Sequence, residues 1–228
     1  EILLAQNRFE YYDEQAMTDP MLVPVGTRHM GTDMFNTVNA DIYAEYAKAT
    51  QVVVGSKFNF DLFADAQSVL ALENLEKVNI FAFVSPADIA DIRKELKDTL
   101  QYVESFARNG YVGTVAGVNI YTKKNATSGS LYMGTKQGVT FFNKKGTAIE
   151  QERDANTRKN SIFSRKYYIA ALTDETKVVK LFKGTATAST ATSVATGTTY
   201  YKKVGNGYVA VTPVTGDSPK DKGWFTIA

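Results

Sequence analysis

The order of periodicities along the chain predicts an α+β fold, with helices first and mostly antiparallel strands later. Three observations carry this. Apolar residues recur at three- and four-residue spacing over 36–50, 61–75 and 89–106; the period changes to that of strands after Gly110; and Gly205-Asn206-Gly207 between two tyrosine-bearing runs signals a hairpin near the end.

Residues 36–50, through Asp41, Ile42, Tyr43 and Tyr46, read as an amphipathic helix. A second helix begins at Asp61, with Leu62, Ala66, Val69, Leu70 and Leu75 on one stripe and Asp65, Glu73 and Lys77 on the other side. The aromatic and β-branched run 78–84 suits a buried strand. Ser85-Pro86-Ala87-Asp88 then carries the strongest local signal: a hydroxyl cap, a proline at the first helical position, and an acid placed for a capping box. Ile89, Ile92, Leu96, Leu100, Val103 and Phe106 extend that helix to about Arg108, and Asn109-Gly110 stops it. Residues 111–121 form a β-rich stretch punctuated by two glycines, 123–130 a polar loop, and 138–142, 148–153, 162–172 and 177–182 further strands, the last two joined by a turn at 173–176. From Gly184 to Thr199 the sequence is low-complexity Thr and Ala, read as a linker or an exposed strand. A terminal hairpin of this size cannot stand alone and must pack on the body or on a neighbouring copy.

The 228 residues, 44% hydrophobic and 22% charged, suffice for a sizeable core. No apolar run approaches the roughly 18 to 20 residues of a membrane-spanning helix. Absence of cysteine excludes disulfides, thiolate metal sites and a cysteine nucleophile. Net charge is only +2, yet residues 1–120 hold 9 basic against 17 acidic side chains and 121–183 hold 13 against 5. Solvated faces explain that split, as does the meeting of acidic and basic faces of neighbouring copies.

Candidates for chemistry are sparse. His29 is the only histidine and sits beside Arg28 in a Gly-rich stretch read as a loop, where a structural or merely exposed role is expected. The pairs Asp61/Asp65 and Asp88/Asp91 have helical spacing, but helix starts account for Asp61 and Asp88. Nucleophile-elbow, phosphate-loop, dinucleotide and His-Glu-x-x-His motifs are all missing, so no cofactor, metal or catalytic residue is assigned. The basic stretch from Lys123 to Lys166 alternates with Phe141, Phe142, Phe163, Tyr167 and Tyr168, which reads as an aromatic core face and a wet basic face able to touch phosphate weakly.

Three features, in order, resemble the major capsid proteins of tailed bacteriophages. The 78–84 strand leading into Ser85-Pro86-Ala87-Asp88 is similar to the strand and Pro-x-Asp helix of that family's axial domain. The Gly-punctuated stretch 113–120 is similar to its return strand. Ile149-Glu150-Gln151-Glu152-Arg153-Asp154, followed by 162–171 and 177–181, resembles the family's late strand ending in Arg-Asp and the two strands after it.

The resemblance covers about 36–183 and implies a spine helix, a peripheral antiparallel sheet and an axial domain, here with a C-terminal β-hairpin extension. The segments it implies are 1–77 for a partial extended loop, spine helix and peripheral region, 78–147 for the axial-like domain, 148–183 for peripheral strands, 184–199 for a Thr/Ala-rich linker and 200–228 for the hairpin. It also implies that the family's N-terminal arm and most of its extended loop lie upstream of Glu1.

Function follows as expectation: a non-enzymatic structural subunit that assembles in the host cytoplasm with copies of itself, as hexamers and pentamers, into the icosahedral shell of a virion. The implied partners are packaged double-stranded DNA through weak non-specific contact, with scaffold, portal or decoration proteins as further ones, and no membrane. Glu152, Arg153, Asp154 and Arg158 are the candidate subunit contacts, because alternating charge along a strand suits pairing between or within subunits. A secreted or surface β-rich binding module is the alternative, motivated by the Thr-rich stretch and the tyrosine-bearing hairpin; an enzyme with scattered carboxylates comes third.

Overall fold

The computed structural model describes residues 2–70, 72–73, 77–100 and 113–228, the side chains of 98–100 excepted. The first elements are β1 (Leu3–Tyr12), α1 (Asp13–Thr18), α2 (Leu22–Tyr46), β2 (Gln51–Gly55), α3 (Phe60–Leu70), β3 (Ile80–Val84) and α4 (Pro86–Leu100). After them come β4 (Thr114–Val115), β5 (Val118–Thr122), β6 (Ser130–Thr135), β7 (Val139–Asp154), β8 (Lys159–Leu172), β9 (Val178–Lys183), β10 (Ala186–Ala188), β11 (Tyr200–Val204), β12 (Gly207–Val211) and β13 (Phe225–Ile227). They fall into two compact units, one of residues 1–45 with 139–171, the other of 46–138 with 172–228. Among the described residues no helix is long and apolar enough to cross a membrane.

Unit 1 is a three-stranded sheet, order β1-β8-β7, with α2 on one face. β1 and β8 run antiparallel from Leu3 opposite Tyr168 to Tyr12 opposite Lys159. Ala5, Met34 and Tyr168 form its small core, with Leu3, Val38 and Phe141 packed against them. The buried Tyr168 hydroxyl donates to the Asp41 carboxylate and ties α2 to β8. Burial, and then that bond, push the phenol well above its ordinary range.

Unit 2 is a ten-stranded mixed sheet, order β10-β13-β11-β12-β2-β9-β6-β3-β5-β4. β2 pairs with β9, and β3 with β5, in parallel; the other neighbours are antiparallel. Leu62, Phe63, Ala66 and Leu70 of α3 and Ile92 and Leu96 of α4 pack with Val53, Leu131, Met133, Val179 and Leu181 in one core. Tyr46, Phe81 and Phe83 meet edge-to-face in a separate aromatic cluster. The half-buried Lys180 ammonium lies 4.4 Å from the Phe182 ring centroid, and burial lowers its pKa.

Several sequence expectations need correction. The helix expected over 36–50 starts at Leu22, so His29 is an exposed helical residue and not part of a loop. Gly26, which favoured the loop reading, is buried there because a Cβ would overlap the Phe9 ring. The stretch read as one return strand is two, β4 and β5, folded back at Ala116-Gly117, where both residues have positive φ. β6, central and buried along its whole length, had no place in the sequence reading; Ser130, Gly134 and Thr135 dilute its apolar signal. Strands expected at 138–142 and 148–153 are one continuous β7. The helix end at Arg108 with its Asn109-Gly110 stop lies outside the described residues.

Of the two readings of 184–199, linker or exposed strand, the strand holds for Ala186–Ala188, which forms β10. β10 pairs with β13, Ser189 N donates to Trp224 O (2.7 Å), and Lys220 N donates to Ala191 O (2.9 Å). β12 in turn pairs with β2, so 184–228 extends the sheet of unit 2. The two units therefore cut across the five segments set out from the sequence, because β7 and β8 find their third partner near residue 1.

Candidate functional site

The four residues singled out as contacts lie at or near the tip where β7 turns into β8, in unit 1. Arg153 Nη2 reaches Asp13 Oδ2 at 2.7 Å, and Asn160 Nδ2 donates to Asp13 Oδ1 at 2.6 Å. The Arg158 guanidinium pairs with Glu14 at 3.0 Å, and its carbonyl accepts from Asp13 N at 3.1 Å. Arg158 holds a positive φ of 53°, the left-handed residue of the turn. Asp154 closes that turn by accepting from Thr157 Oγ1 (2.8 Å) and Asn156 N (3.0 Å). Glu152 is exposed.

These contacts leave an electrostatic imprint. The Arg153 hydrogen bond, then that of Asn160, holds the Asp13 carboxyl below its ordinary range. Glu14 is lowered first by its own backbone N–H and then by Arg158. Thr157 and the Asn156 backbone do the same for Asp154. Further along the sheet Lys159 pairs with Glu10 (2.6 Å), Arg8 also pairs with Glu10, and Arg165 faces Glu150 (3.7 Å). Both the Arg8 and Arg165 guanidiniums lie over the Phe163 ring, 5.2 and 5.9 Å from its centroid. Much of the basic stretch thus has its partners within its own chain.

Sequence reasoning missed those partners. The available signal was Asp13-Glu14 at the start of a helix directly after an alternating segment, which puts two carboxylates at a strand end.

The same unit leaves several large apolar side chains exposed: Met17 (82% exposed), Ile149 (71%), Phe35 (65%) and Met21 (59%). Beside Phe35 runs a groove of about 420 Å³ lined by Gly31, Met34, Val38, Ile42 and Phe141.

The acidic pairs are occupied elsewhere. Asp91 binds Lys183 at 2.6 Å, which depresses its pKa, and also Lys94 at 3.4 Å. Asp88 is buried against a loop, and Asp65 accepts from Asn206. Among the described residues no group of three His, Asp or Glu side chains is arranged to hold a metal ion.

Residues 5–181 match the protein family described as "Phage capsid protein". The chain belongs to this phage capsid family. This capsid-family chain is also 28% identical over 152 residues to the "Major capsid protein" of Staphylococcus phage phiMR11, across 65% of this chain and 49% of that relative. It therefore spans about half the length of the curated relative it matches. Two solved structures share its fold. One is titled "Mycobacterium phage Che8" (TM-score 0.61, 17% identity, 79% of this chain and 71% of that one). The other is the head structure of Helicobacter pylori bacteriophage KHP40 (TM-score 0.62, 9% identity, 79% and 74%). At such identities the likeness concerns the fold, which is the α+β, phage-capsid-like one expected from the sequence. The family match ends at 181, before β10 to β13.

Proposed function

We propose that this chain is a structural shell subunit, the major capsid protein of a tailed phage. Its copies associate as hexamers and pentamers into an icosahedral virion shell around double-stranded DNA, assembled in the host cytoplasm. The observation that carries this reading is the capsid-family match over residues 5–181. The exposed apolar side chains and the groove of unit 1 support it, since association would bury such surface. On this reading unit 1 supplies spine helix and peripheral sheet, and unit 2 the axial domain with 184–228 as an added edge. Shape and charge complementarity do the work, without catalysis.

The tip of β7 and β8 is then a subunit contact. The ties to Asp13 and Glu14 stiffen it, while Glu152 and the outer faces of Arg153, Asp154 and Arg158 remain available to a neighbouring copy. Exposed Lys144 and Lys145 give the sheet a basic surface for weak phosphate contact. Scaffold, portal or decoration proteins are further partners of the assembled shell.

Particle mass by light scattering, with negative-stain imaging, on material isolated from its source tests the reading. Closed particles of megadalton mass are expected. A stable monomer near 25.1 kDa would overturn it and turn attention to a ligand-binding module.

A further inference from the structure

The loop joining β5 to β6, residues 123–129, is largely exposed yet tied along its length. Lys123 N donates to Val84 O (2.9 Å), Ala126 N to Lys123 O (3.2 Å), and Lys183 N to Gly129 O (2.9 Å). Beneath it lies Asp88, only 1% exposed. One Asp88 oxygen accepts from the Ser128 hydroxyl (2.9 Å) and from Gly129 N (3.1 Å). The other accepts from Gly129 N (3.1 Å) and the Ser85 hydroxyl (2.7 Å), and Asp88 N donates to Ser85 Oγ (3.1 Å). Gly129 has φ +81°, a conformation that suits glycine and turns its N–H into the carboxylate.

The two Ser85 bonds already complete the helix cap. Those to Ser128 and Gly129 bridge 40 and 41 residues of sequence and serve the loop alone. A carboxylate taken out of water to hold a surface loop is a costly arrangement for a mere connection. Fixing a contact loop in advance, by contrast, removes the ordering cost that association would otherwise carry.

We propose that Asp88 is a positioning residue that holds the 123–129 loop in one conformation for contact with a neighbouring copy of this chain. The exposed Lys124, Asn125 and Thr127 are the side chains it presents. Only the choice of partner rests on the shell reading. The nearest cation on the adjoining strand, Lys183, is engaged by Asp91, so the hydrogen bonds of the loop and of the cap satisfy Asp88.

Limited trypsin digestion followed by mass spectrometry reads the loop, because cleavage after Lys123 or Lys124 requires it to open. Light scattering reads assembly. Ser128→Ala leaves the Ser85 cap intact; it is expected to melt within a few degrees of wild type, to be cut at Lys123 or Lys124 several-fold faster, and to form fewer particles. Asp88→Asn is expected to do the same more strongly, and if it fails to fold, Ser128→Ala decides. A loop as resistant as wild type in the folded variants overturns the pin. Faster cleavage with a wild-type particle yield overturns the contact role. If the wild-type chain forms no particles, the shell reading fails and the contact role falls with it, while the digestion still judges the pin.

Discussion

In unit 2, α3 and α4 pack on the sheet and seventeen buried residues form one apolar cluster; in unit 1 α2 packs on three strands around a cluster of three buried residues, both counts being of the described residues. Of the thirteen large apolar side chains left exposed among the described residues, nine belong to unit 1, the smaller of the two. The contrast separates a unit closed around one large core from a unit that carries most of the exposed large apolar side chains among the described residues.

Substitutions at matched aromatic positions break or sharpen this contrast. Phe63→Ala, in the core of unit 2, is expected to cost about 3 to 5 kcal/mol in urea unfolding, because the side chain is wholly buried and leaves a cavity. In unit 1, Tyr168→Phe deletes the hydroxyl that holds Asp41 and is expected to cost about 1 to 2 kcal/mol in the same measurement. Phe35→Ala is expected to change monomer stability by less than about 0.5 kcal/mol while lowering particle yield by light scattering. A loss of stability at Phe35 as large as at Phe63 would erase the distinction between the units.

The tip of β7 and β8 adds a pH dependence that belongs to unit 1. Asp13 and Glu14 have folded pKa values below their ordinary ones, so their contribution is fully present above the unfolded carboxylate pKa of about 4 and is lost as pH falls through the lower folded values. Protection of the tip amides against hydrogen exchange, taken relative to their intrinsic rates, is expected to fall as pH drops below about 4, ahead of that of the β6 and β9 amides, and Asp13→Asn should remove most of that difference. The smallest effect is expected from Arg165→Ala, whose pairing with Glu150 is long and exposed; a stability change under about 0.5 kcal/mol should be seen by calorimetry.

Legibility in the sequence followed how local each cause was. The Ser85-Pro86-Ala87-Asp88 cap was readable because its main bonds span three residues, and the strand before it because its apolar run is unbroken. The Gly205-Asn206 hairpin was readable for the same reason. α2 starts fourteen residues before the start read from the sequence, since Gly26 suggests a loop until Phe9 is known to lie against it. β6 was missed because Ser130 and Gly134 show no strand pattern until β3 and β9 flank them. Of the candidate contact residues, position at the strand tip was foreseeable, but the engagement of Arg153 and Arg158 by acids 140 and 144 residues away was not.

By itself the sequence determined the fold class, the helix cap, most strand positions and the resemblance to phage capsids, because these depend on spacing and residue type within short windows. Only the tertiary structure decided that 184–228 adds edge strands in place of hanging on a linker, that the chain's opposite charges partly neutralise one another, and that Asp88 holds a loop forty residues away. Each of these depends on which distant segments pack together, and chain-distant pairing is set by the whole core and not by any local pattern.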